Sequence, residues 1–209
     1  MTDFNTITSS ICMNSGAEPG TALPAAMARR RNARRFAADI AGELARMARG
    51  RNELSLVCAG VADRETVRNR LGAAALARAE NALASAMRLN MKGCDSLGRI
   101  AEGRLALLLP GVGLYAARLH GENLQKAFAD KMRRRHGAEG LKITCALGIV
   151  CIGQGERSGA GDLLERGGRA LQNALAQRSA HICQERPSLS EHPALVHSRE
   201  KRFLFFGEE

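Results

Sequence analysis

A short glycine-rich turn is the first feature of this sequence that could bind a nucleotide. Gly111-Val-Gly-Leu-Tyr-Ala116 follows an apolar stretch and precedes a helical one, and Asp130 lies roughly twenty residues from its start. A dinucleotide-binding fingerprint has this outline, because glycines let the backbone approach a pyrophosphate and an acidic residue binds a ribose hydroxyl. The fingerprint normally opens its domain, whereas here it follows a predicted hairpin. A dinucleotide-binding oxidoreductase is therefore kept as an alternative.

The cysteines and histidines do not form a pattern that binds metal or performs redox chemistry. No two of the six cysteines form a CxxC pair, and the five histidines are spread through the chain without an HExxH or a Ser–His–Asp arrangement. Zinc ribbons and thioredoxin-like sites need paired cysteines. We therefore expect no metal site, and we expect the cysteines to be reduced, as is usual in the cytoplasm.

The chain is basic, with 31 Lys and Arg against 21 Asp and Glu and a net charge of +10. Residues 29–35 contain five arginines, and residues 131–136 contain four Lys or Arg and a histidine. Phosphate contacts need only such side chains, so a basic nucleic-acid-binding protein is a second alternative. Aromatic residues make up only 3%, however, which leaves few side chains on which bases could stack. We do not expect nucleic acid as a partner.

Hydrophobic periodicity predicts an alternating order of helices and strands. Predicted helices cover residues 24–49, 64–89, 111–136 and 160–177, the second of them as one interrupted helix or as two helices. Predicted strands cover residues 53–61, 96–100, 104–109, 141–152 and 181–183. Such an order indicates an α/β fold with a mostly buried sheet covered by helices.

The two ends of the chain differ from this central part. Residues 1–23 are polar without apolar periodicity and are predicted to be a flexible leader, while residues 185–209 form a charged tail that ends in Phe203-Leu-Phe-Phe206. Residues 24–184 are predicted to form the domain. No apolar run reaches the roughly 18 residues of a membrane span, and the start lacks the features of a secretory signal. We expect a cytoplasmic protein.

Four stretches in register resemble the GGDEF family, the diguanylate cyclases that condense two GTP into cyclic di-GMP. Asn32-Ala-Arg-Arg-Phe36 resembles the opening of the family's first helix, and residues 99–111 resemble the strand–turn–strand R-L-G-G-D-E-F-A-L-L-L-P-G. Leu147-Gly-Ile-Val150 resembles S-I-G-V, and residues 163–171 resemble L-L-x-x-A-D-x-A-L. The resemblance spans roughly residues 24–184. It implies a nucleotide-cyclase-like, α+β mixed sheet of five strands flanked by helices.

The resemblance also implies that the cyclase centre is degenerate. Attack of a 3′-hydroxyl on a phosphate needs carboxylates that hold divalent cations. The carboxylate of the third signature position is replaced by glycine and the acidic fourth position by arginine, and the strand end that normally supplies a metal Asp holds Gly60. The five residues at the signature positions are Ala101, Glu102, Gly103, Arg104 and Leu105. We expect no catalytic residues and no cyclase activity.

Gly72 matches the glycine of the family's Y-G-H and fixes the register upstream. This register places Arg68 where the family's guanine-contacting Asn would lie and Glu65 at a neighbouring Lys position. Two carboxylates can hold a magnesium ion that keeps several waters, but Asp63 and Glu102 would have to act from shifted positions. An atypical cyclase with a shifted Mg²⁺ site is the third alternative. Otherwise we expect no cofactor.

Many family members carry an inhibitory R-x-x-D site just before the signature, which binds cyclic di-GMP. Lys92-Gly-Cys-Asp95 stands in that place, and Arg99 is close by in sequence. Lysine keeps the charge of arginine but loses the planar fork that recognises guanine O6 and N7. The resemblance thus implies Lys92, Asp95 and Arg99 as ligand-binding residues. We expect a regulatory or protein-interaction module of a bacterial cytoplasm, with a protein partner and with cyclic di-GMP as a candidate ligand.

Overall fold

The computed structural model describes residues 25–50, 53–136, 142–153, 156–177 and 182–185. The predicted leader and, apart from Glu185, the predicted tail lie outside these residues. The elements are α1 (Ala25–Met47), β1 (Leu54–Val61), α2 (Arg64–Leu89), β2 (Ser96–Ala101), β3 (Arg104–Pro110), α3 (Leu114–His136), β4 (Cys145–Ile152), α4 (Ala160–Ala176) and β5 (Ile182–Gln184). None of the helices in the described part is long and apolar enough to cross a membrane.

Every predicted helix and strand is present, and the differences are at the ends. The third helix begins at Leu114 and not at Gly111, because Gly111 turns the chain with φ 70° and donates its N–H to the Glu53 carbonyl at 2.8 Å. The fourth strand begins at Cys145 and not at residue 141. The second helix, α2, consists of two helical segments that meet at a kink at Gly72, where the backbone adopts the non-helical φ 83° and ψ 165°.

The sheet has five strands in the order β2-β3-β1-β4-β5. Three neighbouring pairs are antiparallel, and the β4–β5 pair is parallel. All residues of β1 and β4 are buried, as expected for central strands with helices on both faces. The predicted mixed sheet with flanking helices is confirmed.

Alternate residues of the central strands supply two separate cores. On one face, Val57 and Leu147 belong to a cluster that includes residues of α2 and α3. On the other face, Leu56 and Val150 belong to a cluster that includes residues of α1 and α4. Because successive strand residues point to opposite faces, each core is built from every second residue of the same strands.

Two contacts fix α1 and α4 to the second face. The Phe36 ring of α1 packs directly on Gly98 of β2, and a Cβ at position 98 would lie 2.6 Å from Phe36 Cδ1. The Arg166 side chain of α4 is 10% exposed and donates to Glu156 at 2.7 Å and to Glu185 at 2.9 Å. Burial alone would lower the pKa of Arg166, but hydrogen bonds to these two carboxylates outweigh burial and raise it. Arg166 thus ties the loop before α4 and the residue after β5 to the helix.

Candidate functional site

The residues at the signature positions form the hairpin turn between β2 and β3. Ala101 pairs with Arg104, and Glu102 and Gly103 make the turn between them. Gly103 has φ 64°, a backbone conformation that glycine adopts without steric cost. On the neighbouring strand, Gly60 is the register partner of Arg104. The end of β1 therefore lies beside the signature turn.

The two positions that the family resemblance assigns to metal-binding carboxylates are adjacent. A Cβ placed on Gly60 would lie 3.7 Å from the carbonyl oxygen of Gly103. The fold brings these two residues together, but neither of them has a side chain. No oxygen ligand can come from the side chain of either position.

An ion pair fills the space into which a side chain at position 103 would project. Arg64 donates from Nη2 to Glu80 Oε1 at 2.7 Å and from Nε to the same oxygen at 3.0 Å. A Cβ at Gly103 would lie 2.6 Å from Arg64 Cζ and 2.7 Å from Glu80 Oε1. Sequence reasoning missed both residues, since neither belongs to a motif quoted for the family.

The carboxylates proposed for a shifted metal site face arginines or solvent. The Glu102 side chain is 71% exposed, and its Oε1 lies 3.6 Å from Arg64 Nη2 and 4.0 Å from Arg68 Nη2. Asp63 is exposed at the start of α2, with φ 48° and no side-chain capping bond. Over the described ranges, no group of three or more His, Cys, Asp and Glu side chains could hold a metal ion.

A cleft of about 380 Å³ opens at this end of the sheet, and we call it the signature cleft. Its lining includes Gly60, Asp63, Arg64, Gly103 and Arg104. Two guanidinium groups therefore border the cleft where the family places its cations. The arrangement can attract an anion but offers a cation only the carboxylates of exposed residues.

A second and larger cavity, of about 610 Å³, lies between α1, the end of α2 and β2, and we call it the α1–β2 groove. Its charged lining residues are Arg35 and Asp39 of α1, Arg88 of α2, Asp95 of the following turn and Arg99 of β2. Guanidinium and carboxylate groups converge here from several elements. Such a cavity is within the size range of about 300–1,000 Å³ that is usual for small-molecule sites.

Two of the three sequence-predicted ligand residues line this groove. Asp95 and Arg99 do so, while Lys92 is exposed and is not part of the lining. Lys92 contributes its backbone instead, because its N–H donates to Asp95 Oδ2 at 2.7 Å and its carbonyl accepts from the Asp95 N–H at 3.0 Å. Sequence reasoning did not assign Arg35 or Arg88 to the site. Only the packing of α1 and α2 beside β2 brings them there.

The glycine-rich turn does not have the geometry of a dinucleotide site. Asp130 lies within α3 itself, and its Oδ1 pairs with Arg133 at 3.2 Å on the exposed side of the helix. It lies 16 residues beyond Leu114, or about 24 Å along the helix at 1.5 Å per residue. An acidic group so far from the turn cannot contact a ribose bound there.

The described basic residues of the two clusters are exposed or paired, and Cys58 and Cys145 are buried. Lys131 donates to Ser85 at 3.1 Å, and Arg34 and Arg134 are exposed, whereas the side chains of residues 29–31 lie outside the described part. Burial raises the pKa of the Cys58 and Cys145 thiols to about 12, so both stay protonated at neutral pH. These two cysteines are packing residues of the cores.

Several solved structures that share this fold are diguanylate cyclase or GGDEF domains. The active GGEEF domain of a diguanylate cyclase from Vibrio cholerae matches with a TM-score of 0.65 and 20% identity, covering 75% of this chain and 98% of that one. The GGDEF domain of DgcB from Caulobacter crescentus, solved in complex with c-di-GMP, matches with a TM-score of 0.64 and 15% identity over 73% of this chain and 90% of that one. Among curated proteins, none matches the sequence.

A third structural neighbour is a larger protein. The diguanylate cyclase SiaD from Pseudomonas aeruginosa, solved with its activator SiaC, matches with a TM-score of 0.62 and 23% identity, covering 74% of this chain and 58% of that one. The sequence itself matches the family described as diguanylate cyclase, GGDEF domain, over residues 27–181. This match covers most of the chain and includes every strand except the last. The chain belongs to the GGDEF domain family.

Proposed function

We propose that this protein is a GGDEF domain without diguanylate cyclase activity that acts as a regulatory module and binds cyclic di-GMP. The observation that carries the first part is the pair of adjacent glycines, Gly60 and Gly103, with the Arg64–Glu80 ion pair packed against the second. A cyclase needs carboxylates there to hold the cations that neutralise the triphosphate. Without them, GTP and Mg²⁺ lack their binding groups.

Electrostatics supports the same conclusion. Arg64 and Arg104 border the signature cleft, and the exposed carboxylate of Glu102 is engaged by Arg64 and Arg68. A divalent cation entering the cleft would meet like charges at short range, which is unfavourable even with solvent screening. The role of the domain is therefore expected to depend on binding and not on catalysis.

The α1–β2 groove supports cyclic di-GMP as the ligand. Asp95 and Arg99 line it, and the neighbour DgcB was solved in complex with c-di-GMP. A protein partner is proposed by the same reasoning, since the neighbour SiaD was solved with a protein activator. With this role we expect a bacterial cytoplasmic protein, in which the unpaired thiols would remain reduced.

Calorimetric titration tests this proposal, with cyclic di-GMP in one series and GTP with Mg²⁺ in the other. We expect cyclic di-GMP to bind and Asp95→Ala to abolish binding, while Asp130→Ala, which removes a carboxylate from α3 outside the groove, leaves it unchanged. Binding of GTP with Mg²⁺ would contradict the loss of the cyclase centre. Absence of cyclic di-GMP binding would refute the proposal that cyclic di-GMP is the ligand.

A further inference from the structure

The α1–β2 groove contains three arginines, two of which no sequence motif assigns to a ligand. Resting on the proposed binding of cyclic di-GMP, we infer that the guanidinium groups of Arg88 and Arg35, and not the ammonium group of Lys92, are the groups by which this chain binds its guanine nucleotide. The fork that is missing at position 92 is supplied by Arg88 at the end of α2. Arg35 adds a contact from α1, so the ligand is held between α1 and the sheet.

The position of Lys92 argues against a direct role for its side chain. Unlike Arg35 and Arg88, Lys92 does not line the groove. Its backbone is committed to the turn, since Lys92 and Asp95 exchange two hydrogen bonds of 2.7 and 3.0 Å. Asp95 lines the groove, and its second carboxylate oxygen, Oδ1, takes no part in these two hydrogen bonds.

The arginines of the groove have the charge and shape that a guanine nucleotide requires. Within the described residues, no carboxylate lies within ion-pair distance of Arg35, Arg88 or Arg99. A guanidinium can bind guanine O6 and N7 through two parallel hydrogen bonds, which an ammonium cannot do. Carboxylate oxygens such as those of Asp95 accept hydrogen bonds from the N–H groups of guanine. The remaining guanidinium groups can pair with the phosphates.

The groove also crosses the junction between α1 and the rest of the domain. Arg35 and Asp39 come from α1, whereas Arg88 comes from the end of α2 and Asp95 from the turn before β2. At its floor, Phe36 of α1 rests on Gly98 of β2. A ligand that contacts both sets of residues must hold α1 against β2. Binding should therefore slow amide exchange in α1.

Titration of the full chain with cyclic di-GMP, using single variants, tests this assignment. We expect Arg88→Ala and Arg88→Lys each to weaken binding by about 5- to 150-fold, the range that corresponds to the roughly 1–3 kcal/mol of a bidentate guanine contact. Arg35→Ala should weaken binding by several-fold through the loss of a phosphate contact, on the order of tenfold or less. Lys92→Ala should change it by less than about threefold. Arg78→Ala removes an exposed arginine from the same helix and is the matched control.

Each outcome decides the inference. The inference is supported if Arg88→Lys loses affinity for cyclic di-GMP while its circular dichroism spectrum matches that of wild type, and if Lys92→Ala binds as wild type does. If wild type binds and Lys92→Ala abolishes binding while the Arg88 variants do not, the inference is overturned and the proposed ligand stands. If wild type does not bind cyclic di-GMP, both are refuted. Unchanged amide exchange in α1 on binding, together with full affinity in Arg35→Ala, overturns the role of Arg35.

Discussion

The Arg64–Glu80 pair should be energetically coupled to Gly103, and a double-mutant cycle can measure this coupling. Gly103→Ala introduces a Cβ at φ 64°, where an L-residue costs about 1–2 kcal/mol. The new Cβ also meets Arg64 Cζ at 2.6 Å and forces the guanidinium away from Glu80. A charge-assisted hydrogen bond contributes about 1.5–3 kcal/mol, which we reduce to about 1–2 because the Arg64 side chain is 30% exposed.

The single variant Gly103→Ala should therefore lower the free energy of unfolding by about 2–4 kcal/mol. In an Arg64→Ala background the conflict with the guanidinium is absent, and the Glu80 carboxylate, no longer held by Arg64, can move away from the new Cβ. The same change should then cost mainly the backbone strain of about 1–2 kcal/mol. Urea unfolding of the four proteins, with unchanged m values, gives the coupling free energy by difference. We predict a coupling of about 1–2 kcal/mol. Additivity within about 0.5 kcal/mol would refute the view that the ion pair fills the space beside Gly103.

Three further predictions concern groups in the interior of the domain. Arg166→Met leaves two carboxylates without their buried partner and should destabilise the protein by about 3–5 kcal/mol in urea unfolding, whereas a loss below about 1 kcal/mol would contradict the clamp. In Gly98→Ala the new methyl group should collide with Phe36 and lower the free energy of unfolding by about 1–3 kcal/mol. Amide exchange in α1 should become faster, and unchanged exchange would show that other contacts hold α1. Because the pKa of Cys58 is about 12, its thiol is protonated at all lower pH values and should resist iodoacetamide at about pH 8 in the folded protein. Exposed Cys94 should react, and equal labelling of both would contradict the burial of Cys58.

Most of the fold could be predicted from the sequence, because the periodic elements are long and locally consistent. The short, mostly apolar run of β1 and the regular spacing in α4 each indicate one type of element. The error at the start of α3 has a long-range cause, since the turn at Gly111 is fixed by a hydrogen bond to Glu53 from a distant part of the chain. Such long-range contacts leave no trace in a local pattern.

The candidate site was predictable only in part. The register with the family assigns Gly60 to a strand end, whereas its position beside the signature turn, and the Arg64–Glu80 pair next to Gly103, are seen only in the structure. On a continuous helix, Arg64 and Glu80 would lie about 24 Å apart at 1.5 Å per residue, so their contact at 2.7 Å depends on the interruption at Gly72. The sequence shows that interruption but not its angle. In the same way, the roles proposed for Arg35 and Arg88 follow from how α1 and α2 pack beside β2.

Cyclic di-GMP synthesis is the measurement that tests the central claim most directly. The purified 209-residue chain would be incubated with GTP and either Mg²⁺ or Mn²⁺. The product would be quantified by chromatography beside an active diguanylate cyclase domain. The absence of carboxylates at positions 60 and 103 predicts no product above the buffer control with either cation. Multiple turnovers of cyclic di-GMP, lost on removal of the cation and in Asp63→Ala or Glu102→Ala, would contradict the account and establish a shifted metal site.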